Sequence, residues 1–248
     1  QAAAYAAKEI RSIDSKSQLT IISDEKNLPY ERPPLSKDYL LNKMTLEDCL
    51  FFPKDFYERN NINFIPNTKV INVNFNNRTL TSAEKKTFLY NKLLIATGSN
   101  NRYLNINGTD ILPNDNIIYL RNSEESDKLK NKINSAKNIL IIGGGFIGLE
   151  IASSAKQLGK SITILEKSNQ IMGRVVPSEI AKLIQNKHEE KGTRIMLNSS
   201  IQEINKIKKT YEIILKNKEK ILTDLVIIGI GSVPDTSIYN NTDLKIDN

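Results

Sequence analysis

The chain holds a single cysteine, Cys49, and a single histidine, His188. One cysteine excludes an internal disulfide framework, and no CxxC pair or zinc-ligand spacing exists. So few thiols point to a reducing compartment, and a cytoplasmic location is expected. His188 lies in "LIQNKHEEKG", which reads as the solvated end of a helix. A Ser-His or Cys-His nucleophilic pair is therefore not expected. No apolar run reaches the ~18 residues that cross a bilayer, so no membrane association is expected. The opening "AAAYAAKEI" lacks the basic flank and long apolar stretch of a signal peptide. No repeat with a period of about 20–50 residues is visible.

What is present reads as a soluble globular chain. Its 248 residues are 39% hydrophobic and 25% charged, enough for one or two domains with a substantial core. The net charge of +7 comes from lysines scattered through an Asn- and Ile-rich chain, as an A+T-rich genome would encode. No aromatic–basic patch accompanies that charge, so no nucleic-acid partner is expected.

Along the chain, 2–13 reads as a helix with small residues on one face. "QLTIIS" (18–23) follows as a strand, with Asp24 at its end. Helix, strand, acid is the second half of a βαβ unit. The first half would precede Gln1, so the reading expects a chain without its true N-terminus. Short helices are expected in 46–60, then strands at 62–65, 69–75 and 78–82, the middle ones forming an antiparallel meander. "KLLIAT" (92–97) reads as a buried strand stopping at Gly98. Residues 100–116, polar with Gly and Pro, read as a linker. Beyond it lie a helix capped by Ser123, a helix over 177–191, a strand over 194–198, a hairpin around 203–222 and the buried strand "DLVIIGIG" (224–231).

Two stretches carry chemistry. In "LPYERPPLSKDYLL" (28–41) paired prolines stand between Arg32 and Lys37. Proline fixes φ and donates no N–H, so this is a stiffened loop displaying two cations. In 138–167 an apolar strand, "NILII", runs straight into Gly143-x-Gly145-x-x-Gly148, with Phe146 and Ile147 inside the motif. A helix closed by Gly159 and the strand "SITILE" follow, and Glu166 ends that strand 18 residues after Gly148. Gly143 makes the turn, Gly145 admits a pyrophosphate, Gly148 lets helix and strand pack, and the helix N-terminus offers N–H groups. Glu166 suits two ribose hydroxyls and repels a 2′-phosphate, so NAD is expected, with NADH favoured over NADPH. Lys167 and Arg174 leave a phosphate-tolerant site open.

"LPYERPPLSKDYLL", "LLIATGS", "LIIGGGFIGLEIA" and "DLVIIGIGSVPD" occur in an order and at a spacing that resemble the flavin-dependent ferredoxin and rubredoxin reductases. Apoptosis-inducing factor is a relative, and all belong to the pyridine nucleotide-disulfide oxidoreductase superfamily. The resemblance implies an α/β fold of two Rossmann-like dinucleotide-binding domains, each a parallel sheet with helices plus a small antiparallel meander. Residues 1–106 would bind FAD, 107–241 would bind NAD, and 242–248 would begin the return to the FAD domain. It implies FAD contacts at Asp24, Arg32, Lys37, Val70 (through its backbone), Thr97, Gly98 and Arg102. NAD contacts are implied at Gly143 to Gly148, Glu166 and Gly231, with Arg174 a further candidate. Lys37 and Glu150 are implied as a pair beside the flavin, the candidate catalytic residues.

The activity implied is hydride transfer from NADH to FAD, then electron transfer to a ferredoxin- or rubredoxin-type iron–sulfur partner, by a monomer or homodimer. The single cysteine sets the chain apart from disulfide-relay members such as glutathione reductase. Two other readings stay open: reduction of a small acceptor such as monodehydroascorbate, or NADH sensing like that of apoptosis-inducing factor. The first glycine motif and the C-terminal interface domain are not within the sequence, so truncation at both ends and weak FAD binding by the chain as written are expected.

Overall fold

A computed structural model of the chain describes residues 1–173, 175–240 and 242–247. Contacts concentrate in two units. The first comprises Gln1–Glu31, Thr45–Asn100 and Pro234–Asn248, and the second Arg32–Met44 and Asn101–Val233. Parallel sheets, helices and small antiparallel meanders make up both, as the α/β reading expects.

In the first unit, helix α1 (Ala2–Ile13) buries Ala4 and Ala7, whose small side chains let it lie close to strand β1 (Leu19–Ile22). Helix α2 (Lys54–Arg59) starts behind Pro53, whose fixed φ suits a helix entry. Strand β2 (Ile62–Ile65) pairs in parallel with β1, Leu19 opposite Ile62. Arg11 ties these pieces together. Its Nε donates to the Asn60 carbonyl at 2.6 Å and its Nη2 to the Asn61 carbonyl at 2.9 Å, both just beyond α2. A guanidinium donating to orphan carbonyls past a helix end satisfies acceptors the helix itself cannot.

Strands β3 (Val70–Asn74), β4 (Thr79–Ser82) and β5 (Thr87–Leu89) form the expected meander, and Val73 and Leu80 pack with Tyr239. The expected strand over 92–97 is not formed. No ladder holds it among the described residues. Leu93 and Ile95 pack on the Val73–Leu80 cluster while Leu94 is 58% exposed, so the segment is extended but unpaired. A short strand, β6 (Ser99–Asn101), leads out of it.

In the second unit, the expected linker contains a hairpin, β7 (Leu104–Ile106) with β8 (Thr109–Ile111). Asn107 and Gly108 both take positive φ at its turn, the conformation that suits the right-handed twist of two paired strands. Strand β9 (Ile117–Tyr119) and helix α3 (Ser123–Ser135) follow. The α3 cap is Asn122 rather than Ser123. Asn122 Oδ1 accepts from the Glu125 N–H at 2.9 Å and Glu125 Oε2 accepts from the Asn122 N–H at 3.3 Å, a reciprocal capping box.

Strand β10 (Asn138–Ile142), helix α4 (Phe146–Gln157), strand β11 (Ser161–Leu165), helix α5 (Ser178–Glu190) and strand β12 (Arg194–Met196) complete one wing of a five-stranded parallel sheet. The expected hairpin is a three-stranded antiparallel sheet, β13 (Ile201–Ile207), β14 (Thr210–Leu215) and β15 (Lys220–Thr223). Strand β16 (Leu225–Ile228) enters the parallel sheet, giving the order β12-β11-β10-β16-β9, and β17 (Ser232–Pro234) leads away. Leu140, Ile142, Val226 and Ile228 pack with Ile213 and Leu215 of the antiparallel sheet. By alternation, Ile139, Ile141 and Ile227 turn to the opposite face, where α4 lies on β10 and β11. Each such isoleucine stabilises the fold by about 1.5–3 kcal/mol through burial.

Replacing Arg11 by Leu leaves the Asn60 and Asn61 carbonyls without their charged donor. The expected loss in equilibrium denaturation is about 2–3 kcal/mol for the first unit. A loss below ~0.5 kcal/mol would show that the guanidinium does not hold α1 to the α2 terminus.

Candidate functional site

The carboxyl ends of β10 and β16 lie side by side in the sheet, where the chain from β10 turns directly into α4. In doubly wound sheets such a point leaves a crevice for a ligand. Three backbones meet there. A Cβ on Gly143, whose φ is +106°, would stand 2.4 Å from the Gly229 carbonyl oxygen. A Cβ on Gly148 would stand 2.1 Å from the Gly143 carbonyl oxygen. Both distances are far inside contact range, so only glycine permits this turn. Gly145, at the α4 N-cap, differs: a Cβ there would meet nothing within 4 Å. Its missing side chain is not required for packing and leaves open space in front of the first-turn N–H groups. Phe146 is 55% exposed and Ile147 is also exposed, on the outer side of the same turn.

Glu166, just past β11, closes the loop from the side. Its Oε2 accepts from the Gly144 N–H and its Oε1 from the Ser168 N–H, each at 2.8 Å. Each carboxylate oxygen keeps capacity for a second donor, as two ribose hydroxyls require. Gly231 also takes a positive φ, +106°, and its carbonyl accepts from the Arg102 N–H at 3.0 Å. Arg174 lies outside the described residues.

The proline stretch docks on the same unit. Pro33–Ser36 forms one 3-10 turn, the prolines at its start. The Leu35 carbonyl accepts from Ser126 Oγ of α3 at 2.7 Å, and the Ser36 carbonyl accepts from Ser154 Oγ of α4 at 2.8 Å. Arg32 Nη1 donates to the Arg121 carbonyl at 2.8 Å, and Tyr39 Oη donates to Asp127 Oδ1 at 2.7 Å. Arg32 also acts on Glu125. Burial pushes the Glu125 carboxyl above its usual range, and backbone N–H bonds from Arg121 and Asn122, an Asn101 hydrogen bond and the Arg32 charge oppose that rise.

Lys37 emerges from the turn and meets Glu150 in the second turn of α4. Its Nζ lies 2.8 Å from Glu150 Oε1, with side chains 44% and 27% exposed, and also donates to the Pro33 carbonyl at 3.2 Å. Two residues 113 positions apart are thus joined one turn beyond the glycine cradle.

The remaining candidates lie in the first unit. Asp24 is exposed at the carboxyl end of β1, and Val70 opens β3. Thr97 Oγ1 donates to the Asp235 carbonyl at 2.7 Å, and the carbonyl of Gly98, at φ +71°, accepts from the Asp235 N–H at 3.0 Å.

Sequence reasoning passed over Ser36, Ser126 and Ser154, the hydroxyls that seat the turn. Serines within apolar helical faces, such as Ser154 in "EIASSA", were the available signal. His188 is a correction. It is half-buried, not solvated, and lines a groove of about 240 Å³ with Phe146, Leu149, Glu150, Met172 and Ile184. Burial lowers its pKa. Ala181, Ile184 and His188 recur at helical spacing, so His188 shares the inward stripe of α5. Cys49 is buried, and burial raises its thiol pKa. Among the described residues no group of His, Cys, Asp and Glu side chains could hold a metal, and no helix is long and apolar enough to cross a membrane.

The family model described as pyridine nucleotide-disulphide oxidoreductase matches residues 1–248. A rubredoxin–NAD(+) reductase of Ectopseudomonas oleovorans is 32% identical over 244 residues, covering 98% of this chain and 63% of that protein. The 3-phenylpropionate/cinnamic acid dioxygenase ferredoxin–NAD(+) reductase component of Photorhabdus laumondii is 34% identical over 232 residues, covering 94% of this chain and 58% of its own. Among solved structures, the ferredoxin reductase for the CYP199A2 system from Rhodopseudomonas palustris is 31% identical and superposes with a TM-score of 0.87, over 96% of this chain and 58% of that one. The chain therefore spans between 58% and 63% of the length of these relatives.

The two glycines separate packing from binding. Gly148→Ala forces a Cβ onto the Gly143 carbonyl and is expected to lower the melting temperature by several degrees or prevent folding. Gly145→Ala is expected to lower the melting temperature by no more than a few degrees, the cost of alanine at an N-cap, while weakening NADH binding by roughly tenfold, read by calorimetric titration. Unchanged NADH affinity in Gly145→Ala would remove the cradle from the binding site.

Proposed function

The chain belongs to the pyridine nucleotide-disulphide oxidoreductase family, and from that membership we propose that it binds NADH and FAD and delivers electrons to a ferredoxin- or rubredoxin-type iron–sulfur protein. The observation that carries the reading is the Lys37–Glu150 pair, held one turn beyond a glycine turn that leaves open space in front of Gly145.

The residues present fit NADH and a part of an FAD site. For NADH, the space at Gly145, the first-turn N–H groups of α4 and its partial positive charge suit a pyrophosphate. The fixed Glu166 carboxylate suits ribose hydroxyls and disfavours a 2′-phosphate, so NADH is preferred over NADPH. For FAD, Asp24 stands exposed at the carboxyl end of a parallel strand, and Gly98 presents backbone in a left-handed conformation. The unit containing Gln1–Glu31 and Thr45–Asn100 is accordingly assigned to FAD, and the unit containing Asn101–Val233 to NAD.

When bound, the nicotinamide and flavin supply the hydride and single-electron chemistry, and the protein aligns and tunes them. Lys37 supplies the tuning. An ammonium has three N–H donors, and two are used, on Glu150 Oε1 and the Pro33 carbonyl. The third is available to a ligand, and a fixed cation favours an electron-rich partner. Glu150 holds that cation in place. No side-chain nucleophile is required, in keeping with a buried Cys49 whose thiol pKa is raised.

In the FAD-loaded protein mixed with NADH in a stopped-flow instrument, Lys37→Ala is expected to slow flavin bleaching by roughly 10- to 100-fold. NADH affinity should stay within about twofold, because Lys37 Nζ bonds Glu150 and the Pro33 carbonyl and no group of the cradle. Bleaching at the wild-type rate would refute the role. With wild type, rapid NADH-dependent reduction of a ferredoxin or rubredoxin is expected. Turnover confined to small acceptors, or dimerisation on NADH without turnover, would contradict the assignment of partner.

A further inference from the structure

We propose that Ser36 is a positioning residue for the Lys37–Glu150 pair: its hydroxyl takes one oxygen of the Glu150 carboxylate and so presents the other to Lys37. The inference rests on the proposed function and adds to it the device that aims the cation.

Ser36 is 3% exposed, and its Oγ lies 2.6 Å from Glu150 Oε2. The Pro33 carbonyl, the other acceptor in reach, is 3.4 Å away. A hydroxyl has one proton, and the nearer, charged acceptor takes it. Glu150 Oε1 is left for Lys37 Nζ, at 2.8 Å. Two adjacent residues therefore grip the two oxygens of one carboxylate, which cannot rotate without losing a partner. A lysine on a flexible four-carbon stem has no such constraint of its own.

Ser36 is itself held. Its carbonyl accepts from Ser154 Oγ, four residues after Glu150 on the same face of α4. One helix face thus receives the Ser36 side chain at Glu150 and the Ser36 backbone at Ser154, and Ser126 of α3 anchors the preceding carbonyl. Freed from Ser36, the Glu150 carboxylate would turn and carry the ammonium with it.

The test uses the FAD-loaded protein and NADH, with flavin bleaching, NADH affinity and flavin midpoint potential measured together. Ser36→Ala is expected to slow bleaching by about tenfold, the equivalent of one hydrogen bond to a charged group, with NADH affinity within about twofold. The midpoint potential is expected to move to more negative values, as it does when a fixed cation is lost. Ser36→Thr keeps the donor and should restore the rate. In a Lys37→Ala background, Ser36→Ala should have no further effect, because it acts only through the pair. A merely structural serine would slow both backgrounds equally, and that additivity would overturn the proposal, as would an unchanged rate and potential. If Ser36→Ala does not retain FAD, Ser36→Cys, of similar size but a weak donor, takes its place with the same expectations. Wild type that NADH does not bleach refutes the proposed function itself. Wild type that bleaches alongside an equally fast Ser36→Ala refutes only the role of Ser36.

Discussion

The site depends on how closely three stretches of backbone approach one another at Gly143, Gly148 and Gly229. With any side chain at Gly143 or Gly148, α4 would stand off from the sheet and its first turn would no longer sit over the carboxyl ends of β10 and β16. With glycine there, the helix start seats directly against these backbones. Everything farther along α4 inherits that placement. Glu150 follows one turn beyond the N-cap and Ser154 a turn after that, so the helix serves as a ruler from the open space at Gly145 to a carboxylate. A side chain aimed at chemistry is only as well placed as the element that carries it.

The proline turn answers that ruler from elsewhere in the sequence. Its prolines lose little freedom on ordering, since their φ angles are set before folding. Hydroxyls from α3 and α4 then take the carbonyls of Leu35 and Ser36, so the turn is seated by buried, fully specified bonds rather than by surface charge. Isolated exposed ion pairs contribute little to stability. The partly exposed Lys37–Glu150 pair is better understood as a presented cation, held still by neighbours that are themselves buried.

Much of this was legible in the residues. The unbroken apolar run of 138–142, the glycine spacing and the terminal Glu166 specify strand, turn, helix and strand because each has its own physical requirement. The pairing of Lys37 with Glu150 came only from resemblance, since no local rule links residues so far apart. Ser36, Ser126 and Ser154 were missed because a serine carries no periodicity of its own and its partners here are long-range carbonyls and a carboxylate. The hairpin at Asn107-Gly108 had a turn signal that the polar composition around it obscured. The stretch over 92–97 looked like a strand because its residues are apolar and β-prone, but a strand also needs a neighbour to pair with. His188 was misjudged from its charged neighbours, when its spacing from Ala181 and Ile184 placed it on the inner stripe.

The claim at the centre is that the glycine cradle and the Lys37–Glu150 pair belong to one electron-transfer site. Loading the protein with FAD and mixing it with NADH carrying deuterium at the transferred position tests this most directly. The account requires loss of flavin absorbance with a primary deuterium isotope effect. A protein that binds both coenzymes yet shows no change in flavin absorbance would contradict it.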